Sequence, residues 1–414
     1  MNARILLRVT LPLAAVNALT QAARTAMSTV GPVLAVQYGF SAAALGSFSA
    51  GMFGTYCLAQ IPAGIAMDRW GPRRVQAVLC LVAAGGFAWF AGASSLAGFM
   101  GGRLLTGIGV SAGLIGMIKG NRQWVPGPEV AAATGLGMMV GTLGSFAMTV
   151  PAQAMLPVIG WRGVILCCSI AALGVALWNL LCVPEAVSRG PQAPLRQDLR
   201  DLLLIIRSAE LRRFAPLASL LTVLNFTYLG LWAGPWLRDV AHLAPQSRAN
   251  VLFLYTIGLL VGGPLTGYLV SRMQRRGYHP MYVPVACTVG LIAVQTALAC
   301  QPTDEVLVAV LWLLFACLSA CGPAAYAALA GSFCADQAGR VSTVINTLTL
   351  ALVLAMQIII GEWVDLWPRA PGGDWDPRGY SAGLAVTILL QSAALLRART
   401  ALRPPVSADC RELP

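Results

Sequence analysis

Gly64-Ile-Ala-Met-Asp68-Arg69-Trp-Gly71-Pro-Arg73-Arg74 is the stretch on which the reading of this chain turns. It separates two long apolar runs. It carries one acid, three arginines and two glycines at a short turn. Two apolar helices joined by a tight basic loop make a hairpin whose loop stays on the basic side of a membrane. A weaker copy follows about two hundred residues later, Gly267-Tyr-Leu-Val-Ser-Arg272-Met-Gln-Arg275-Arg276-Gly277. A motif and its echo at that spacing predict a chain built from two similar halves.

Composition agrees with a membrane solvent. Of 414 residues, 57% are hydrophobic and 11% charged, against roughly 25% charged in soluble domains. A spanning helix needs about 20 apolar residues, so the chain has room for twelve with short loops. The expected fold is all-α, twelve transmembrane helices in two pseudo-symmetric six-helix halves. The first half is residues 1–183, a linker covers 184–213, the second half is 214–402, and a basic tail is 403–414. The net charge of +12 is explained by orientation and not by a nucleic-acid partner. Twenty-one of the 28 basic residues fall on one set of alternate loops and five on the other. The positive-inside rule then puts both termini in the cytoplasm, in a bacterial inner membrane. Arg4 and Arg8 ahead of an apolar run could mimic a signal peptide, but the run continues past Arg24 and reads as the first helix.

Gly64, Asp68, Arg69, Gly71, Arg73 and Arg74 resemble, position by position, the loop signature between helices two and three of the major facilitator superfamily. The resemblance covers nearly the whole chain. It implies that the acid and arginines, with Arg272 and Arg276 of the echo, latch the halves together on the cytoplasmic side; a plain topological role for these charges is the alternative. Gly101-Gly-Arg103-Leu-Leu-Thr-Gly107 in helix four resembles a second signature of that family. Antiporters of the family carry proline after the central glycine of the Gly137, Gly141, Gly144 run; Thr142 stands there, which weakens an antiporter reading.

Most spans are predicted as continuous, helix five from about 130 to 158 among them; helix ten should break near Gly322-Pro323. Residues 195–207 have the mixed periodicity of an amphipathic helix on the membrane surface.

Charged groups inside the apolar slab cost a few kcal/mol each and ask for a reason. Arg24 lies two-thirds along helix one, and no acid of the first six helices sits at its depth. Its planar fork suits a carboxylate or phosphate on a substrate; snorkelling or bonding to carbonyls is the plainer reading. Arg103 is a candidate for proton coupling or a bridge to the helix-one backbone. Lys119, the one lysine, is a coupling candidate or an interfacial anchor. Asn225, Tyr228, Trp232, Tyr326, Asn346 and Gln357 are candidate substrate contacts or ordinary helix-contact residues. Glu362 and Asp365, toward the outer end of helix eleven, are candidate protonation sites or, in the plainer reading, exposed surface acids. Cys317 and Cys321 read as packing, since no Cys/His cluster suggests a metal. No cofactor is expected.

No Gly-Lys-Ser/Thr pair exists, so ATP-driven transport is disfavoured, and no enzyme signature is found. By resemblance the chain is a secondary active transporter working by alternating access. Arg24 points to proton-coupled uptake of a small organic anion by a monomer in the lipid bilayer. Efflux of a drug or metabolite is the rival transport reading. A non-transporting receptor or scaffold of the same fold is the rival of another class.

Overall fold

The computed structural model describes residues 3–126, 129–185, 206–333, 335–369 and 374–399, with no β-strand among them. Eleven segments are long and apolar enough to cross a membrane, and residues 132–147 form a shorter apolar helix. In chain order the helices are α1 (Leu6–Tyr38), α2 (Ala42–Met67), α3 (72–92), α4 (Leu96–Trp124) and α5 (Val130–Ala147, resuming over 150–159). They continue with α6 (161–182), α7 (Ala209–Asp239), α8 (Pro245–Arg275) and α9 (Tyr282–Ala299). The last three are α10 (Glu305–Ala330), α11 (Ala335–Asp365) and α12 (Pro377–Arg399). The twelve make two groups of six.

The hairpin turns are set by backbone chemistry. A helical run over Ala42–Gly92 is bent only at Gly71, with φ 76° and ψ 159°. That conformation is open to glycine and costly for other residues. Pro72 then opens α3, where its missing N–H costs nothing. Gly277, in the echo, also has positive φ, 80°. Gly160, φ 66°, likewise divides α5 from α6 inside a continuous helical run.

Helix five is not continuous, contrary to the sequence expectation. It breaks at Met148–Thr149, just ahead of Pro151, which has no N–H to give the preceding turn and stands in the first turn of the resumed helix. The freed Met148 carbonyl accepts from Thr29 Oγ1 at 2.5 Å. α10 does break where expected, between Ser319 and Gly322. Residues 195–205 of the expected linker helix and the tail from 400 onward lie outside the described residues.

Outward faces are apolar. On α6 Leu173, Leu177 and Leu181 are exposed at 49%, 57% and 73%, a four-residue stripe suited to lipid. The start of α1 and the end of α12 share one face, here the terminal face; its opposite is the distal face. On the terminal side the start of α7 meets the end of α12 around Ala209, Arg212, Arg213, Leu396 and Arg397.

Candidate functional site: a crevice ending at Arg24

The two halves meet along α1 against α7 and α2 against α11. Exposure along α1 shows how. Leu11, Ala15, Ala18, Gln21 and Arg24 are half-buried at helical spacing; from Thr25 to Ala35 every residue but Val33 is buried. α7 repeats the pattern. Thr222, Asn225 and Phe226 are half-buried, and residues 227–237 are all buried. A crevice therefore runs in from the terminal face and stops at Arg24 and Phe226.

Beyond that floor α1 closes on α7 and α2 on α11, while α1, α5, α7 and α8 border a distal cavity of about 620 Å³ lined by Ser28, Pro32, Gln153, Gly234 and Arg248. A Cβ built on Gly234 of α7 would lie 1.8 Å from the Ser28 carbonyl oxygen of α1. Pro32 lacks the N–H that would occupy that oxygen. On the other side, a Cβ on Gly46 of α2 would meet the Gln357 carbonyl oxygen at 2.4 Å, and one on Gly361 the Ala42 carbonyl oxygen at 2.8 Å. Small residues let helix backbones approach this closely.

Polar contacts complete the seal. Both oxygens of Asp365 accept backbone N–H groups of the first turn of α2, from Ala42 at 3.0 Å and Ala43 at 2.7 Å. Asp365 is exposed, as expected, yet it caps a helix of the opposite half and complements its dipole. Arg369 donates to the Phe40 carbonyl at 2.8 Å, and Arg238 to that of Pro32 at 3.0 Å. Glu362 is exposed.

At the floor, the Arg24 guanidinium lies between two rings, 4.7 Å from the centre of Tyr56 on α2 and 4.3 Å from that of Phe226 on α7. The cation thus joins the halves through ring faces, each contact contributing about 0.5–2 kcal/mol. Its Nη1 donates to Gln21 Oε1 at 3.2 Å, while its buried Nε has no partner. Among the described residues no carboxylate pairs with it. The Tyr326 hydroxyl of α10 bonds to Thr349 Oγ1 of α11. Nearer the terminal face, Asn346 Nδ2 of α11 donates to Gln60 Oε1 of α2 at 3.1 Å.

The remaining candidates occupy other surroundings. Tyr228 is buried in a ring cluster with Trp312 and Phe315 inside the second half. Asn225 accepts from the Tyr255 hydroxyl at 3.3 Å. Trp232 is fully buried at the seal, with its indole edge by Gly46. Gln357 is also fully buried. Its Nε2 reaches the carbonyls of Phe226 and Thr227 at 3.5 and 3.4 Å, where α7 widens into a π turn over Tyr228–Trp232. Such turns leave carbonyls off the helical ladder, and Gln357 covers them.

Arg103 is 3% exposed and donates to the Ala23 carbonyl at 3.0 Å, with Nε and Nη2 unpartnered. It braces α4 against α1 one residue before Arg24. Lys119 Nζ donates to the Gly64 carbonyl at 3.0 Å, tying α4 to the end of α2. In the loop signature, Arg74 pairs with Glu185 at the start of the linker, and Arg69 is exposed. The Asp68 side chain lies outside the described residues. Arg272 bonds to Tyr268 one turn back on α8, and Arg276 is exposed. Among the described hydrogen bonds, none from these arginines crosses to the opposite half.

One charged residue passed over in the sequence is Asp239, fully buried at the distal end of α7. Its burial depends on α12, whose Tyr380, 141 residues away, donates to it.

A family model described as Major Facilitator Superfamily matches residues 13–356. The chain belongs to the major facilitator superfamily. Solved members share the whole architecture. A bacterial homologue of the human lysosomal transporter Spinster, in an inward-facing, unoccupied conformation, superposes with a TM-score of 0.76 at 15% identity, over 96% of this chain and 98% of that one. The D-xylose-proton symporter gives 0.75 at 15%, over 95% and 97%. The nucleoside transporter NupG gives 0.75 at 13%, over 94% and 98%. At such identities the likeness concerns the fold. A search of curated protein sequences finds no match. This superfamily member is thus a multi-pass membrane transporter in architecture, and not an enzyme.

Proposed function

We propose that this carrier takes up a small organic anion together with a proton across a bacterial inner membrane. The observation that carries the reading is Arg24, a cation at the floor of the crevice with no described carboxylate beside it. An uncompensated arginine there suits a carboxylate or phosphate arriving from solution. The proton follows from energetics. A membrane potential negative inside opposes each inward negative charge by about 2.3 kcal/mol per 100 mV, and a co-transported proton cancels that. The basic loops assign the terminal face to the cytoplasm, so the conformation is open inward and sealed outward. The loop signature latches the inner face in the opposite state, by rocking of the halves.

Reconstituted protein should accumulate a labelled carboxylate or phosphate ester from a panel when an inward proton gradient is imposed, and Arg24→Ala should abolish it. Accumulation that survives Arg24→Ala overturns the reading. The ring faces of Tyr56 and Phe226 favour a second reading, efflux of an aromatic cation or drug; counterflow with such compounds and none with anions would select it. A protein without counterflow for either class would be a receptor or scaffold.

A further inference from the structure

The seal on the distal face contains a buried acid that the crevice does not use. Asp239 accepts from Arg238 through both oxygens, Nε to Oδ1 and Nη2 to Oδ2 at 3.1 Å. The Tyr380 hydroxyl of α12 donates to Oδ2 at 2.6 Å. This forked pairing uses two nitrogens along one edge of the guanidinium and aims the third, Nη1, at the Pro32 carbonyl of α1, 3.0 Å away in the opposite half. The guanidinium also lies over the Trp375 ring at 5.3 Å. One carboxylate therefore orients the only cross-half bond that α7 makes to α1 among the described hydrogen bonds.

We propose that Asp239 is a proton-binding site that makes closure of the distal face depend on external pH. The charges around it decide the sign. Arg238 is on its own helix, Tyr380 on α12, Asp374 ahead of α12 at 3.6 Å from Arg238 Nε, and Arg248 near the start of α8. α1 presents the Pro32 carbonyl to this cluster through Arg238. With Asp239 ionised, two arginines face two acids and the cluster is neutral. A proton on Asp239 leaves two cations against one acid. The neutral carboxyl has one acceptor oxygen left and donates from the other, so it no longer holds the guanidinium by both nitrogens of that edge. Arg238 is then free to turn to Asp374, which is 43% exposed, and the bond to Pro32 is lost. Acid outside opens the distal face; neutral or alkaline conditions hold it shut. Asp239 lies on the sealed side of Arg24, so this proton regulates access and is distinct from the one transported with substrate.

The inference rests on the rocking of the halves but on no particular substrate, and its test needs none. Spin labels at Ser94 and Thr303, exposed on distal loops of the two halves, report the opening by pulsed electron resonance in nanodiscs, in a background cleared of native cysteines. The labelled wild-type should shift from a short to a long distance as pH falls. Asp239→Asn, with the shape of the protonated acid, should give the long distance at every pH. Tyr380→Phe, a conservative variant that keeps the ring packing, should move the midpoint to higher pH, since it removes a donor to the ionised form. A wild-type distribution indifferent to pH overturns the proposal. So does an Asp239→Asn or Tyr380→Phe protein that keeps the wild-type midpoint. Absence of anion uptake with an intact pH response would refute the transport reading and leave this one standing.

Discussion

Gly234 backs onto the carbonyl oxygen of Ser28 so closely that a methyl group would sit 1.8 Å from it. The obstacle is backbone, so no rotamer change relieves it. This contact between α7 and α1 exists only while the distal face is shut.

Gly234→Ala should therefore wedge the halves apart without unfolding either one. The expected outcome is a carrier held open on the distal side, with transport reduced at least about tenfold, as a destabilisation of some 1.4 kcal/mol or more of the sealed state requires. Distal cysteine labelling should rise in the same variant. Normal labelling with normal transport would show that the helices slide past the contact.

Asp365→Ala removes the acceptor for two N–H groups at the start of α2. Loss of a helix cap costs about 1 kcal/mol. Because the cap comes from the other half, the loss should appear as a roughly fivefold shift toward the distal-open state. The melting temperature should move less than for a cap within one half. Spin-label distances across the distal loops measure the shift.

Arg24→Lys keeps the charge but loses the planar group that lies between Tyr56 and Phe226. Binding of the transported anion should weaken by about tenfold, short of the complete loss in Arg24→Ala. Calorimetric titration of both variants with the anion separates them; equal affinities would take the guanidinium out of the site.

Gly71→Ala places a side chain at φ 76°, at a cost of about 1–2 kcal/mol. Thermal stability should fall, while Gly64→Ala, with nothing within 4 Å of the added carbon, should leave it nearly unchanged. Similar melting temperatures for the two would mean that the turn relaxes to negative φ.

His279 lies in the loop after the echo, 6% exposed, stacked on Phe214, with Nδ1 accepting from the Met281 N–H at 3.2 Å. Burial lowers its pKa below the ordinary histidine value. The folded form thus binds the proton less readily than the unfolded one. Its contribution is present above the ordinary histidine pKa and is lost as pH falls through the folded value. Acidification should lower the melting temperature. His279→Asn keeps an acceptor at the same position and should flatten that part of the profile; an unchanged profile would assign the loss to another group.

Local chemistry made much of this protein legible in advance. Apolar runs of spanning length, glycine at both elbows and the bias of arginine to alternate loops follow from the cost of exposing backbone and charge to lipid, and each is readable within a few residues. Arg24 stood out for the same reason. Its ring partners did not, because Tyr56 and Phe226 come from different halves. Asp365 read as a surface acid, and it is exposed; its role lies in two amides more than three hundred residues away in the chain. Asp239 belongs to no motif, and its burial is made by α12. Which face is sealed is a property of how two packed halves lean on each other, set by backbone contacts at Gly46, Gly234 and Gly361. Those contacts balance against an alternative packing of the same helices, and a residue pattern that supports both packings cannot choose between them; the tertiary structure does.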